Sequence, residues 1–315
     1  VFGYIAAGVG LIVVLFFAAG WILSGAVLHP RRKSLEEAEK NMVDEGALAP
    51  GYYKSLPREP FKIETGSGTL SCELIPAGRN CDPARVAILM HGYGFNRMGE
   101  VKYIPFFRKR GFNIIIYDNR NSGESFKSKT TMGYFEKKDL SRVISWAVSR
   151  FGDGALIGLH GESMGGATVL MTGAEDERVS FVIADCPYDD CGGQLYYNLR
   201  SIYKLGKFPL MPLCSLFTKI RAGFYYSEVS PINAIKNIKR PLPCLFFHGT
   251  GDDFVLCGMT ERMYEVYPGP KMAYYGKGSR HTRTSVDFPE EYDAAIGEFL
   301  ETMVPEYGKT GAEKQ

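Results

Sequence analysis

Net charge is what this sequence has least of: 37 Lys and Arg stand against 35 Asp and Glu over 315 residues, a formal balance of +2. With no basic stripe and no interleaved aromatics, that balance excludes the electrostatic footprint of a nucleic-acid binder. Also missing is any CxxC pair. The cysteines, Cys72, Cys81, Cys186, Cys191, Cys214, Cys244 and Cys257, form an odd set, so neither a zinc site nor a complete disulfide framework is indicated. Cys72 and Cys81 are a pair that a hairpin could bring face to face, and free, mostly buried thiols are the expectation for the rest and for these two. The bias of a disordered or collagen-like chain is absent too, since 45% of the residues are apolar and 13% aromatic. A chain of this length can bury a sizeable core in one large α/β domain or two small ones.

Charge is wholly absent from Phe2 to Leu28, a run of 27 residues that exceeds the roughly 20 needed to cross a bilayer. Residues 1–30 are therefore expected to be a single-pass membrane anchor. A cleaved signal peptide would have a shorter apolar core behind a basic segment, although Ser24-Gly25-Ala26 has the small residues of a cleavage site. Ala6, Gly10, Gly20 and Ser24 recur at four-residue spacing, as small residues do where membrane helices pack. Arg31-Arg32-Lys33 follows and weighs toward a cytoplasmic catalytic part by the positive-inside rule, but basic residues ahead of Val1 would reverse that balance, so the side is left open. Residues 31–60 are expected to be a short helical stalk (Ser34 to Glu45) and a Pro/Gly/Tyr link, and 306–315 a polar tail.

From Phe61 the pattern becomes regular. Strand-like runs at Phe61-Glu64 and Leu70-Ile75 precede short apolar runs at Val86-Met90, Asn113-Tyr117, Ala155-Leu159, Val179-Ala184, Cys244-Phe247 and Met272-Tyr275. Amphipathic segments lie between them, near Val101-Arg110, Lys137-Arg150, Ser163-Gly173, Cys257-Val266 and Glu290-Met303. Such alternation predicts a mostly parallel sheet wrapped by helices, an α/β domain over 61–305. One interval breaks the rhythm: about 186–230 has no clear strand and is rich in Leu, Tyr, Phe and Pro, which predicts a helical cap over the C-terminal edge of the sheet.

Gly161-Glu162-Ser163-Met164-Gly165 is a G-x-S-x-G directly after one predicted strand and directly before a helix. That context pushes a serine hydroxyl into the open above the sheet, on a strained turn flanked by glycines and over a helix N-terminus. A nucleophilic serine needs a base. Of the five histidines, His29 lies at the membrane edge, His91 and His248 end strands before a glycine, and His160 is still on the strand before Ser163. His281, in a polar loop after the last strand, is the candidate base. His91, His160 and His248 share a sheet edge without a matching carboxylate cluster and are read as structural rather than as metal ligands. Two carboxylates, Asp252 and Asp253, follow the strand that ends at His248, and spacing alone does not separate them. Asp185 is a third acid in an unusual position, better suited to a structural role. The order Ser163, acid, His281 is Ser…Asp…His. Two backbone N–H groups must hold the oxyanion, and the residues expected to supply them are Met164, after the nucleophile, and Tyr93, in His91-Gly92-Tyr93-Gly94.

These residues together resemble an α/β hydrolase over roughly Phe61 to Met303. His91-Gly92 is similar to that family's oxyanion motif, Asp118-x-Arg120-x-x-Gly123-x-Ser125 to its structural D-x-R-x-x-G-x-S loop, and Gly161 to Gly165 to its nucleophile elbow. In the family's H-G-x-x-D-x-x-V pattern the acid falls on Asp252, so the resemblance implies Asp252 rather than Asp253. The chain is also similar to bacterial membrane-anchored hydrolases with one N-terminal helix and a short cap, where runs like Ile183-Ala184-Asp185-Cys186-Pro187 and Glu228-Val229-Ser230-Pro231 recur. Arg280 departs from the glycine usual before the base, which implies a more polar or crowded rim.

The expected activity is hydrolysis of a carboxylic ester through an acyl-enzyme on Ser163, with His281 as base, Asp252 as its orienting acid and no metal or organic cofactor. The expected partners are a small-molecule ester or acyl substrate and, through the N-terminal helix, a membrane. Cap residues Leu195, Tyr196, Tyr197, Tyr203, Leu205, Phe208, Leu210, Met211, Leu213, Leu216 and Phe217 either line an acyl pocket or simply pack the cap on the core. A peptidase or amidase would need anchors for an amino terminus, for which Glu162, Asp189 and Asp190 are candidates; an acyltransferase differs only in the acceptor. A non-catalytic receptor on this fold would have lost Ser163 or His281, and neither is lost.

Overall fold

The computed structural model describes residues 2–78, 81 and 84–309. The predicted short apolar runs become an eight-stranded sheet: β1 (Glu59–Thr65), β2 (Gly68–Ile75), β3 (Arg85–Met90), β4 (Phe112–Tyr117), β5 (Leu156–Glu162), β6 (Phe181–Asp185), β7 (Cys244–Gly249) and β8 (Lys271–Gly276). Their order is β1-β2-β4-β3-β5-β6-β7-β8, with antiparallel pairing of β1 to β2 and of β2 to β4 and parallel pairing elsewhere. Strands β3 to β7 are buried on both faces, which is why they read as continuous apolar runs rather than as alternation. Side chains still alternate between two cores: Ala87, Leu89, Ile114 and Ile116 face one, Val86, Ile88, Ile115 and Tyr117 the other.

The helices are α1 (Phe2–Leu28), α2 (Leu35–Asp44), α3 (Tyr52–Ser55), α4 (Ile104–Arg108), α5 (Glu136–Phe151), α6 (Met164–Glu175), α7 (Cys191–Tyr203), α8 (Leu210–Ala222), α9 (Pro231–Lys236), α10 (Cys257–Val266), α11 (Thr284–Asp287), α12 (Pro289–Met303) and α13 (Pro305–Lys309). Helix α12 covers the first core, with Tyr292, Ile296 and Phe299 fully buried, while α5 and α6 cover the second through Leu140, Val143, Val169 and Leu170. Helices α7 and α8 are the interrupted interval and build a third core over the C-terminal edge, into which Leu28 of α1 is also buried.

Two expectations are corrected. The stalk at 31–60 is docked: Ala38 and Met42 of α2 are buried in the first core beside Met98 and Val101, Ser34 accepts the Glu37 N–H as an N-cap, and Arg32 donates to the Gly123 and Ser125 carbonyls at 2.6 and 2.7 Å. The expected tail starts as helix α13, with Tyr307 stacked on Phe112 and under the Arg85 guanidinium; residues 310–315 lie outside the described residues. The cysteines are as expected: all seven, Cys72 and Cys81 included, are free thiols. Of the spaced small residues, Gly20 and Ser24 are buried and Ala6 and Gly10 are exposed. What Gly20 packs on is this chain's own cap helix α8, through Leu213 and Phe217.

If α2 is structural, Met42→Ala should lower unfolding stability by about 2–4 kcal/mol, the usual cost of a core methionine truncation. Urea midpoints of the full chain measure it, and an unchanged midpoint would mean that α2 is a free stalk after all.

Candidate active site

Strand β5 runs straight into α6, and Ser163 is the single residue that makes the turn, at φ 55° and ψ −116°. A side-chain-bearing residue held there stores on the order of 1–3 kcal/mol, so its neighbours must over-determine it. The Ser163 N–H donates to the Asp185 carbonyl at 2.8 Å, and its carbonyl accepts from Ala167 N–H at 2.9 Å. Close approach is possible because Gly161 and Gly165 lack side chains: a Cβ on Gly165 would lie 1.9 Å from the Met90 carbonyl oxygen, and one on Gly161 2.4 Å from the Gly165 carbonyl carbon.

The loops after β7 and β8 bring the other two groups to this turn, tied together by Gly251 N–H to Ser279 O at 3.0 Å and by Gly278 N–H to Thr250 Oγ1 at 2.8 Å. His281 Nε2 is 3.0 Å from Ser163 Oγ, and His281 Nδ1 is 2.6 Å from Asp252 Oδ2. Asp252 is fixed by its other oxygen, which accepts the Phe254 and Val255 N–H groups at 2.9 Å each. Burial alone would raise its pKa, but hydrogen bonds from His248 and His281, the His281 charge and the Val255 amide outweigh burial and hold the carboxyl below the usual carboxylate range. Asp253 is exposed. Asp185 lies deeper and accepts from the Tyr103 and Tyr292 hydroxyls at 3.0 and 3.2 Å.

The remaining strand histidines have structural partners. His91 Nε2 accepts from Asn119 N–H at 2.9 Å, which leaves Nδ1 to donate to Gly92 O at 2.8 Å; His248 lies between Thr260 Oγ1 and Val255 O. Among the described residues the group that gathers metal-ligand atoms within 4.8 Å is Cys186, Asp252 and His281. Two of these are already hydrogen-bonded to each other, and burial holds the Cys186 thiol well above its ordinary pKa, the chemistry of a packed side chain.

Gly92 lies against Ser163, and a Cβ there would be 3.3 Å from Ser163 Cβ. The Tyr93 and Met164 amides have no protein acceptor among the described residues. The Tyr93 hydroxyl is shared between the Ala26 and Val27 carbonyls at the end of α1, at 3.0 and 2.9 Å. Two cavities meet at Ser163. One, of about 250 Å³, is apolar and runs under the cap past Leu195, Tyr203 and Met211, with Leu23, Ala26 and Val27 of α1 as a wall. The other, of about 200 Å³, is more polar, with Lys102, Glu162, His281 and Arg283 on its lining. Arg280 is exposed and lines neither, so the rim residue is Arg283.

A family profile described as alpha/beta hydrolase fold matches residues 87–203. The uncharacterized protein YqkD of Bacillus subtilis is 33% identical over 299 residues, which cover 94% of this chain and 96% of the relative. The chain belongs to the α/β-hydrolase superfamily. Among solved structures, a Pyrococcus furiosus esterase shares 24% identity over 88% of this chain and all of its own, with a TM-score of 0.66. The acylaminoacyl peptidase of Pyrococcus horikoshii shares 16% over 84% of this chain and 44% of its own, with a TM-score of 0.63. At these identities the likeness to both is one of fold.

Two features of this α/β hydrolase's site were not read from the sequence. The α1 wall is one; its only signal is the surplus of a 27-residue helix over a bilayer span. The other is Lys102, buried on the turn at Arg97–Tyr103, which pairs with Glu162 at 2.9 Å and donates to Thr282 O at 2.7 Å, so one ammonium joins the residues next to Ser163 and His281. Below it, His160 lies 3.2 Å from Glu100 and 3.0 Å from the Tyr292 hydroxyl. Burial first, and then the Lys102 charge, push His160 down to about 3, while burial and Glu162 push Glu100 well up. The two are hydrogen-bonded, and burial favours the neutral form of each.

The sign of the resulting pH dependence follows. Unfolded, His160 takes up a proton below about pH 6.5, whereas folded it stays neutral down to about 3. Its contribution to stability is complete above the unfolded value and is lost as pH falls through this window, at up to about 1.4 kcal/mol per pH unit. Urea midpoints between pH 7 and 4.5 should therefore fall less steeply for His160→Gln than for wild type; parallel slopes would show that His160 is charged in the fold.

Proposed function

We propose that this α/β hydrolase is a membrane-anchored serine esterase in which Ser163 is the nucleophile, His281 the general base, Asp252 its orienting acid, and the Tyr93 and Met164 amides the oxyanion hole. The observation that carries the reading is the 3.0 Å separation of Ser163 Oγ from His281 Nε2, with His281 Nδ1 held at 2.6 Å by Asp252. In the first half-reaction Oγ attacks the ester carbonyl as its proton passes to Nε2, and the new oxyanion accepts from the two amides. Collapse breaks the bond to the alkoxy oxygen, which leaves as the alcohol with the Nε2 proton. Water then attacks the acyl-enzyme by the same route, giving the carboxylic acid and free Ser163. Asp252 stays ionised throughout, because its own partners stabilise its charge, and keeps Nδ1 protonated so that Nε2 can accept.

An ester with an apolar acyl group suits the two unlike cavities, the acyl chain under the cap and the polar leaving group beside Lys102 and Arg283. The peptidase reading has less support: Glu162 is engaged by Lys102, Asp189 by Arg262 at 2.7 Å, and Asp190 caps α7 through Gly193 N–H. Anchoring rests on α1, which at 27 residues is about 40 Å long and apolar enough to cross a membrane.

The full chain in detergent or vesicles should be labelled by a fluorophosphonate and should hydrolyse p-nitrophenyl esters. Ser163→Ala should abolish labelling, and Asp252→Asn should lower kcat by about 10³–10⁴-fold. Folded wild type that is not labelled, or labelling that persists in Ser163→Ala, would overturn the assignment. Labelling without ester turnover would move the substrate to amides or to an acyl acceptor other than water.

A further inference from the structure

Exposed apolar surface is unevenly spread. Outside α1, the large apolar side chains most open to solvent among the described residues are concentrated on the α7–α8 hairpin: Ile202, Tyr203, Leu205, Phe208, Leu216 and Ile220, with Phe208 84% and Ile220 66% exposed. The same hairpin, residues 191–222, carries Arg200, Lys204, Lys207, Lys219 and Arg221 and no Asp or Glu at all. Apolar side chains beside basic ones of a single sign are the chemistry of a surface that lies in an anionic lipid leaflet.

The register of α8 on α1 says which way the hairpin points. Leu213 and Phe217 pack at the level of Gly20, and the Phe217 ring also meets those of Phe17 and Trp21 at 6.0 and 5.4 Å. One turn later, Arg221 donates to Trp21 O and Ser24 Oγ at 2.8 and 3.1 Å. Helix α8 thus runs in the same sense as α1, and its start, next to Phe208, projects toward the exposed end of α1. That exposed stretch, Phe2 to Ala18, covers about 26 Å at 1.5 Å per residue, close to the roughly 30 Å of a hydrocarbon core. The boundary of that core therefore falls near Trp21 and Arg221, an aromatic and a cation suited to the interface, and Phe208 lies on its apolar side.

The apolar cavity connects this surface to the serine, since Ile202 and Tyr203 of α7 and Leu23 of α1 line it together with Ser163. We propose that the α7–α8 hairpin lies in the leaflet that α1 enters, and that the long acyl chain of a bilayer-borne ester reaches Ser163 from that leaflet, between the last turns of α1 and α7. The second half of this proposal rests on the serine-esterase reading; the first does not.

Two measurements on the full chain, reconstituted in phosphatidylcholine/phosphatidylglycerol vesicles, test the halves separately. The tryptophan emission added by Phe208→Trp should be quenched about twofold or more by phosphatidylcholine brominated on its acyl chains, as for a side chain in the hydrocarbon. Added emission indifferent to the brominated lipid would overturn the leaflet position whatever the enzyme's activity. Separately, the double variant Phe208→Glu, Ile220→Glu should hydrolyse p-nitrophenyl palmitate dissolved in the vesicles about tenfold or more slowly, because carboxylates are costly to place in lipid, while p-nitrophenyl butyrate in the aqueous phase keeps its rate. Equal loss on both esters, or loss on neither, would overturn entry from the leaflet. A wild type that hydrolyses neither ester defeats the esterase reading and the acyl-chain route with it, and leaves the quenching result to stand alone.

Discussion

The backbone at Ser163 occupies a conformation that its side chain disfavours, and the surrounding structure is organised to hold it there. Two chain crossings too close for any Cβ, at Gly161 and Gly165, set the turn, and the hydrogen bond from Ser163 N–H to Asp185 O pins it to the neighbouring strand. Asp185 is in turn fixed by two tyrosine hydroxyls, Tyr103 and Tyr292, that reach it from different elements. The strain at one residue is therefore resisted by a buried polar network that spans the sheet edge, and this accounts for the ionisable groups that lie beneath the candidate site. Lys102 belongs to the same network: its side chain holds Glu162 and the Thr282 carbonyl at once, and so couples the Ser163 turn to the loop that carries His281.

Much of this was legible from residue order alone, for physical reasons. Strands buried on both faces have no freedom to be polar, so β3 to β7 stood out as apolar runs, and a G-x-S-x-G between a strand and a helix has few alternative uses. His281 emerged by elimination because the other histidines sit on strands or at the membrane edge. Asp252 and Asp253 stayed equivalent by spacing, since what separates them is the direction of a loop: two amides at 254 and 255 turn the first inward and leave the second in solvent.

The illegible parts share one cause, which is that a single composition served two purposes. Leu23, Ala26 and Val27 satisfy a bilayer and a cavity wall equally well, so nothing in their identity announces that they line the space beside Ser163. The cap's apolar residues divide likewise into three groups that hydropathy treats as one: Leu195, Tyr203 and Met211 line the cavity, Leu213 and Phe217 grip α1, and Leu205, Phe208 and Leu216 face outward. Lys102 was invisible for the opposite reason, because a lone lysine on a short turn looks like any solvated charge until its neighbours are known.

The junction between α1 and the domain has no slack in it. Tyr93 clasps the last carbonyls of the helix, Arg221 grips it from the cap, Arg32 is bonded into the body only four residues after the helix ends, and α2 is packed into the core directly beyond. A domain on a flexible leash samples many heights and headings above a bilayer. With α1 in a bilayer, as proposed, this one could not swing: the tilt of a single helix would fix the heading of the whole domain and hold Ser163 at one constant depth, as though mounted on a ruler.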